Sequence, residues 1–163
     1  MASSENTTAS GPGWVDSFRH PDTEMERRLR VGGLSATTLT AAGTSWDAVV
    51  IAPLERGLAA LDALDVPLDA GFGVYADYRR YELIVLVAPG AAAAEVSDVQ
   101  GVRGVRVLSR GSWVLMPTNG DGTWEAATLS RPARLCPRYV DPARLCAAAV
   151  AVDAARGAPA CAS

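Results

Sequence analysis

Lysine is missing altogether from this chain of 163 residues, so all 15 of its strongly basic side chains are arginines. Alanine is abundant throughout, and the two biases together read as GC pressure on the coding sequence. The arginines as a class therefore carry no argument for phosphate recognition, although their positions do. Histidine occurs once, as His20 just before Pro21, where a solvated side chain is expected rather than a triad base or a metal ligand. The three cysteines, Cys136, Cys146 and Cys161, are widely spaced and have no histidine nearby. Their odd number and spacing suggest neither a zinc site nor a paired disulfide framework, and reduced, mostly buried thiols are the default. No apolar run approaches the ~20 residues of a membrane span, and MASSENTTASGPG has neither a basic n-region nor an apolar h-region. These absences predict a cytoplasmic chain with no membrane partner.

Charge of one sign is also lacking. The formal net charge is −3 and the isoelectric point about 5.1, against an electrostatically driven, non-specific nucleic-acid binder, which shows a strong basic excess. A local basic face is still compatible with these numbers. Sequence signatures of common chemistries are absent as well: there is no Cys-x-x-Cys, no Gly-x-Ser-x-Gly, no phosphate-cradling Gly-x-x-x-x-Gly-Lys and no Gly-x-Gly-x-x-Gly opening a helix. Walker-type and Rossmann chemistry are disfavoured accordingly.

What is present is an ordinary globular composition, 49% hydrophobic and 20% charged, too apolar for a disordered chain. The length fits one domain able to bury its own core. Residues 1–20 are expected to form a disordered leader, 21–157 a single α+β domain and 158–163 a flexible tail. In DTEMERRLR, Thr23 and Glu26 stand at capping-box spacing and Gly32-Gly33 supplies the stop, which predicts a short helix from Asp22 to Arg30. Ala36 to Leu39 and Asp47 to Ile51 are β-like, and Pro53 opens an apolar-periodic helix, LERGLAALDAL, ending near Asp65.

The centre carries the clearest pattern. GFGVYAD and YELIVLVAP are β-rich runs separated by Tyr78-Arg79-Arg80, an antiparallel hairpin with a charged tip and LIVLV as a central buried strand. AAAAEVSDV reads as a turn of helix, and VRGVRVLSR and GSWVLMP as two strands joined at Arg110-Gly111. Asn119 to Gly122 forms a turn and Thr123 to Ala126 a short returning strand. Asp141 then caps a helix with Pro142 at its first position, running to Gly157. The fold predicted from this order is α+β: a mainly antiparallel, curved sheet flanked by two or three helices, at least one face covered by the Leu54 and Pro142 helices.

Three carboxylates are placed where they could converge: Asp47 at a strand start, Asp77 at the hairpin tip and Glu82 on the next strand. Two-metal phosphoryl transfer needs such acids a few ångströms apart; as strand-end residues they read first as turns and caps, and only then as metal ligands. Arg79, Arg80, Arg103, Arg106 and Arg110 lie on or beside neighbouring strands as a candidate phosphate or nucleic-acid contact, since guanidinium grips phosphate bidentately. Solvated strand faces explain the same arginines. Trp46 and Trp113 read as core or rim aromatics before they read as base-stacking platforms.

The succession WDAVVIAPLERGLAALDAL, GVYADYRRYELIVLVAPG, VRVLSRGSWVLMP, a short TW strand and DPARLCAAAVAV resembles short actinobacterial proteins related to the N-terminal domain of bifunctional DNA primase/polymerases. The resemblance spans roughly Ser35 to Ala155 and rests on a strand ending in Pro-Gly, a Val-Arg-Val-Leu strand, a glycine, and a strand ending in proline. It implies a primase-polymerase-like fold. Catalytic members of that family use an Asp-x-Asp pair on one strand, a histidine on a later strand and a further acid to hold divalent metals. No Asp-x-Asp stands on the corresponding strands here, and LIVLV contains no histidine. The resemblance thus implies a degenerate relative with no cofactor, a non-catalytic binding or regulatory module that engages a protein partner or a nucleotide in the old cleft. The alternative is a metal-dependent nucleotidyltransferase, DNA primase/polymerase-like, using Mg or Mn at Asp47, Asp77 and Glu82. A third reading, a scaffold, requires an exposed apolar patch on the sheet and scattered arginines.

Overall fold

The computed structural model describes residues 12–30, 37–91, 102–117 and 126–157. It is an α+β structure with antiparallel sheets. Four helices stand among the described residues: α1 (Trp14–Arg19), α2 (Thr23–Arg30), α3 (Leu54–Ala63) and α4 (Pro142–Gly157). None of them is long and apolar enough to cross a membrane. The strands are β1 (Thr37–Ala41), β2 (Asp47–Ile51), β3 (Val74–Asp77), β4 (Glu82–Val87), β5 (Val105–Leu108), β6 (Trp113–Pro117) and β7 (Ala126–Ser130).

Five strands pair in the order β5-β2-β4-β3-β7, while β1 and β6 form a separate two-stranded ribbon. The curved sheet expected from the sequence is therefore two sheets, and neither curls or closes. β5 and β6, consecutive in the chain, do not pair with each other: β5 joins β2 and β6 joins β1. Strand β4, the LIVLV segment, occupies the centre of the larger sheet and is buried from Leu83 to Val87. Its unbroken apolar run is explained by cover on both faces.

Alternation along the strands sorts the core into two layers. Val49, Ile51, Val74, Ala76, Leu83, Val85 and Val87 meet the helices, packing with Leu54, Leu58 and Leu61 of α3 and Leu145 and Ala149 of α4. The i, i+4, i+7 leucine stripe is what lays α3 on the sheet. Ala48, Val50, Tyr75, Ile84 and Leu86 face the other way and meet Val114 and Met116 of the ribbon. Contact on the helical side is close at Gly57, where a Cβ would fall 2.6 Å from Leu83 Cβ.

Several local expectations shift. Residues 14–20, assigned to the leader, include α1, whose Trp14 is 2% exposed within the helical layer. Its indole N–H donates to the Val66 carbonyl at 2.6 Å, and the Trp14 and Val15 amides donate to the Asp62 carboxylate at 2.5 and 3.1 Å. A single tryptophan after a polar stretch leaves no periodicity to read, so tertiary contact alone orders this helix. Residues 1–11, the glycine stop at Gly32-Gly33, the AAAAEVSDV segment apart from Ala91, the 119–122 turn and the 158–163 tail lie outside the described residues. Helix α2 is capped by Asp22, whose carboxylate accepts the Met25 amide at 2.8 Å, and not by Thr23. A strand is described at Ala126–Ser130, while Thr123 to Glu125 of the expected returning strand lie outside the described residues. At α4 the expected cap is found, with the Arg144 amide donating to Asp141 Oδ1 at 2.9 Å.

Candidate functional site

The three candidate acids are split between the faces of the sheet. Asp77 and Glu82 are direct cross-strand partners on β3 and β4, on the ribbon side. Asp47 pairs with Val87 at the far end of β4 and, by alternation with Val49 and Ile51, points to the helical side. Five residues of strand separate Glu82 from Val87, roughly 17 Å at ~3.4 Å per residue. Each acid has local work. Asp47 is fully buried; its Oδ2 accepts the Gly90 amide at 2.9 Å, and its Oδ1 has no hydrogen-bond partner. Asp77 Oδ1 accepts the Arg80 amide at 3.0 Å, closing the hairpin tip. Glu82 Oε2 takes Arg106 Nη2 at 2.6 Å. Among the described residues no three His, Cys, Asp or Glu side chains gather in a way that would hold a metal ion.

Nearby hydroxyls offer no base at neutral pH. Burial raises the Tyr75 phenol above its ordinary value, with Arg131 pulling the other way, and burial alone pushes Tyr78 up to about 12. His20 is exposed and its amide donates to the Asp16 carbonyl, ending α1.

Two of the five candidate arginines do converge, and the topology says why. Strand β2 runs antiparallel to both β4 and β5, so the end of β2 meets the beginnings of its two neighbours at one edge of the sheet. Three chain turns are thereby tied together: the Ala52 amide donates to the Gly104 carbonyl at 2.7 Å and the Leu54 amide to the Tyr81 carbonyl at 2.9 Å. They enclose a cavity of about 370 Å³ lined by Ala52, Pro53, Arg56, Arg80, Tyr81, Arg103, Gly104 and Asp153. Arg103 and Arg80 are exposed at its rim, and among the described residues neither guanidinium is in an ion pair.

Arg56 forms the floor. It is 2% exposed, and its Nε donates to the Ala149 carbonyl at 2.9 Å and its Nη1 to the Arg103 carbonyl at 2.6 Å. Its Nη2 faces Asp153 Oδ2 at 2.9 Å, a carboxylate half exposed on α4. This one side chain thus ties α3, α4 and the turn before β5. Gly104 makes the close approach feasible: with φ +77, a Cβ there would lie 2.6 Å from the Ala52 carbonyl oxygen and 3.2 Å from Arg56 Nη1. Tyr81 takes φ 59 at the end of the hairpin loop, a left-handed conformation that is strained for a bulky residue. It is 46% exposed, and its hydroxyl donates to Glu55 Oε1.

Three arginines against one aspartate, at the positive end of the α3 dipole, make the cavity an anion-attracting site. The remaining candidates fall elsewhere: Arg79 is exposed on the hairpin loop outside the cavity lining, Arg106 is paired with Glu82, and Arg110 stands past the opposite end of β5, against Gly43. A larger cavity, about 630 Å³, lies between α1, α2 and the 65–69 loop and is lined by Asp22, Glu24, Asp62, Asp65 and Asp69 with His20. Two of those acids, Asp62 and Asp22, already serve as helix caps, and the lining repels phosphate. Arg56 and Asp153 were not singled out in the sequence. The signal for Arg56 was its place between Leu54 and Leu58, beside the leucine stripe that lays the helix on the sheet. Compared with protein-family models, curated proteins and solved structures, the chain matches none.

Proposed function

We propose that the chain is a non-catalytic binding module with a degenerate primase-polymerase-like fold, which engages a nucleotide through the arginine-lined cavity. The observation that carries this reading is the convergence of Arg56, Arg80 and Arg103 on one cavity at the start of α3. Guanidinium groups and a helix N-terminus are the donors that recognise phosphate. The volume lies within the usual range for small-molecule sites, and Tyr81 at the rim offers an exposed aromatic face on which a base can stack. The separation of Asp47 from Asp77 and Glu82 argues for binding without metal-dependent catalysis.

The test is a calorimetric titration of purified protein with ATP, with and without Mg²⁺, beside an Arg80→Ala/Arg103→Ala variant and an Asp47→Ala/Glu82→Ala variant. The proposal expects saturable heat that the arginine variant loses and the acid variant keeps. Heat that requires Mg²⁺ and vanishes in the acid variant would instead favour a nucleotidyltransferase. No heat in any arm would move the reading to a protein partner, for which the outer face of the ribbon is the supporting feature. Leu39 and Trp113, diagonal neighbours there, are each 62% exposed.

A further inference from the structure

We infer that the Asp153 carboxylate is an internal stand-in for the ligand's terminal phosphate, holding Arg56 in the free protein and leaving when a polyphosphate enters the cavity. The inference rests on the anion-binding reading above. Arg56 has four guanidinium contacts, and three of them go to main-chain carbonyls of Ala52, Arg103 and Ala149. Those carbonyls fix the plane of the group and add no counter-charge. Among the described residues the only carboxylate on it is Asp153, through Nη2 at 2.9 Å, and that carboxylate belongs to a side chain 51% exposed, within the lining of the cavity itself.

The geometry separates a permanent part of the site from an exchangeable one. The buried guanidinium is immobilised whether or not Asp153 is present, so one N–H edge stays directed at an anion position. The occupant of that position, unlike the guanidinium, is half exposed and reached by solvent, so another anion can take its place. Arg80 and Arg103 flank the same position without an ion pair of their own among the described residues. A triphosphate tail brings several charges to three guanidinium groups where Asp153 brings one, and bidentate contacts favour the phosphate further. Displacement of Asp153 also removes one contact between the last turns of α4 and α3, beyond the Ala149 carbonyl that Arg56 keeps, so occupancy of the cavity is coupled to the freedom of residues 150–157.

Two probes separate the sources of the phosphate: inorganic tripolyphosphate alone, and ATP. Each is titrated calorimetrically into the wild type, Asp153→Asn and Arg80→Ala/Arg103→Ala, with folding of each variant checked by circular dichroism. Asp153→Asn keeps an oxygen acceptor for Arg56 and removes the competing charge, so it is expected to bind tripolyphosphate about three- to tenfold more tightly than the wild type, the range for losing a weak competing pair together with its repulsion of the phosphate. A gain for ATP beyond that for tripolyphosphate assigns the remainder to base contact at Tyr81. Wild-type binding that Asp153→Asn leaves unchanged or weakens would overturn the stand-in role while leaving the anion site intact. Absence of binding in both overturns the site as well. Hydrogen exchange on the wild type needs no variant: protection of amides 150–157 should fall on adding tripolyphosphate, and unchanged or increased protection in a saturated complex would rule the displacement out.

Discussion

Replacement of Gly57 by alanine sets two known effects against each other and lets the structure decide the sign. In a helix interior glycine costs about 1 kcal/mol relative to alanine, so propensity alone predicts a more stable protein. Gly57 is the fourth residue of α3, however, and an added Cβ would lie 2.6 Å from Leu83 Cβ and 2.7 Å from Leu83 Cδ2. Leu83 is fully buried on the central strand, and its Cβ is fixed to the backbone, so no rotamer change relieves the first contact. The helix must lift from the sheet, and overpacking of this kind costs about 1–3 kcal/mol. The added strain is expected to match or exceed the propensity gain, giving a net loss of up to about 2 kcal/mol. For a chain of this size that is a fall in Tm of up to about 8 °C, measurable by circular dichroism or differential scanning fluorimetry. A double-mutant cycle with Leu83→Ala should show coupling, because the smaller residue makes room for the new methyl group. A Gly57→Ala protein with a raised Tm would refute the argument that α3 and β4 pack through this glycine.

Further outcomes follow from the same structure. Trp14→Ala should cost about 3–5 kcal/mol in denaturant unfolding, because Trp14 is buried in the helical layer; a loss below 1 kcal/mol would mean that α1 does not belong to the core. The Tyr78 phenol, pushed up to about 12 by burial, keeps its proton in the fold when the unfolded chain begins to lose it near pH 10. The folded state then binds more protons, so this group's contribution to stability is complete below pH 10 and declines as pH rises towards 12. An absorbance titration at 295 nm should accordingly show at least one phenol ionising only near pH 12, and a single transition of all four tyrosines near pH 10 would contradict it. Asp47→Asn preserves an acceptor for the Gly90 amide, and the other oxygen, Oδ1, has no hydrogen-bond partner to lose, so unfolding should show stability little changed, whereas Asp47→Ala should lose about 1–2 kcal/mol with the hydrogen bond. A large loss in Asp47→Asn would indicate a cationic partner for that carboxylate.

Much of the local structure was written in short-range patterns. The β-branched runs DAVVI and LIVLV, the leucine stripe of LERGLAALDAL and the Asp141-Pro142 start of α4 each act through neighbouring residues, and each element formed close to its expected bounds. Strand partners are another matter. VRVLSR and GSWVLMP are consecutive strands, and nothing in their residues states that β5 joins β2 while β6 crosses to β1; that choice depends on which apolar face each can cover. Helix α1 depends on a distant carboxylate at Asp62 and a distant carbonyl at Val66, so no local signal announced it.

The candidate site divides in the same way. The sequence alone determined that arginine is the only strong cation, that histidine and cysteine are too few and too scattered for the common catalytic and metal motifs, and that β-rich runs alternate with helices. Tertiary structure decided which charges meet. Antiparallel pairing brought Arg80 and Arg103, distant in sequence, to the end of β2, and burial turned Arg56 from one arginine among many into the floor of a cavity. The same pairing sent Asp47 to the opposite face and the opposite end from Asp77 and Glu82. Residue type fixes what a side chain can do, but the sign and reach of a site depend on sheet register and on which faces are covered, and these are set by contacts between segments far apart in the chain.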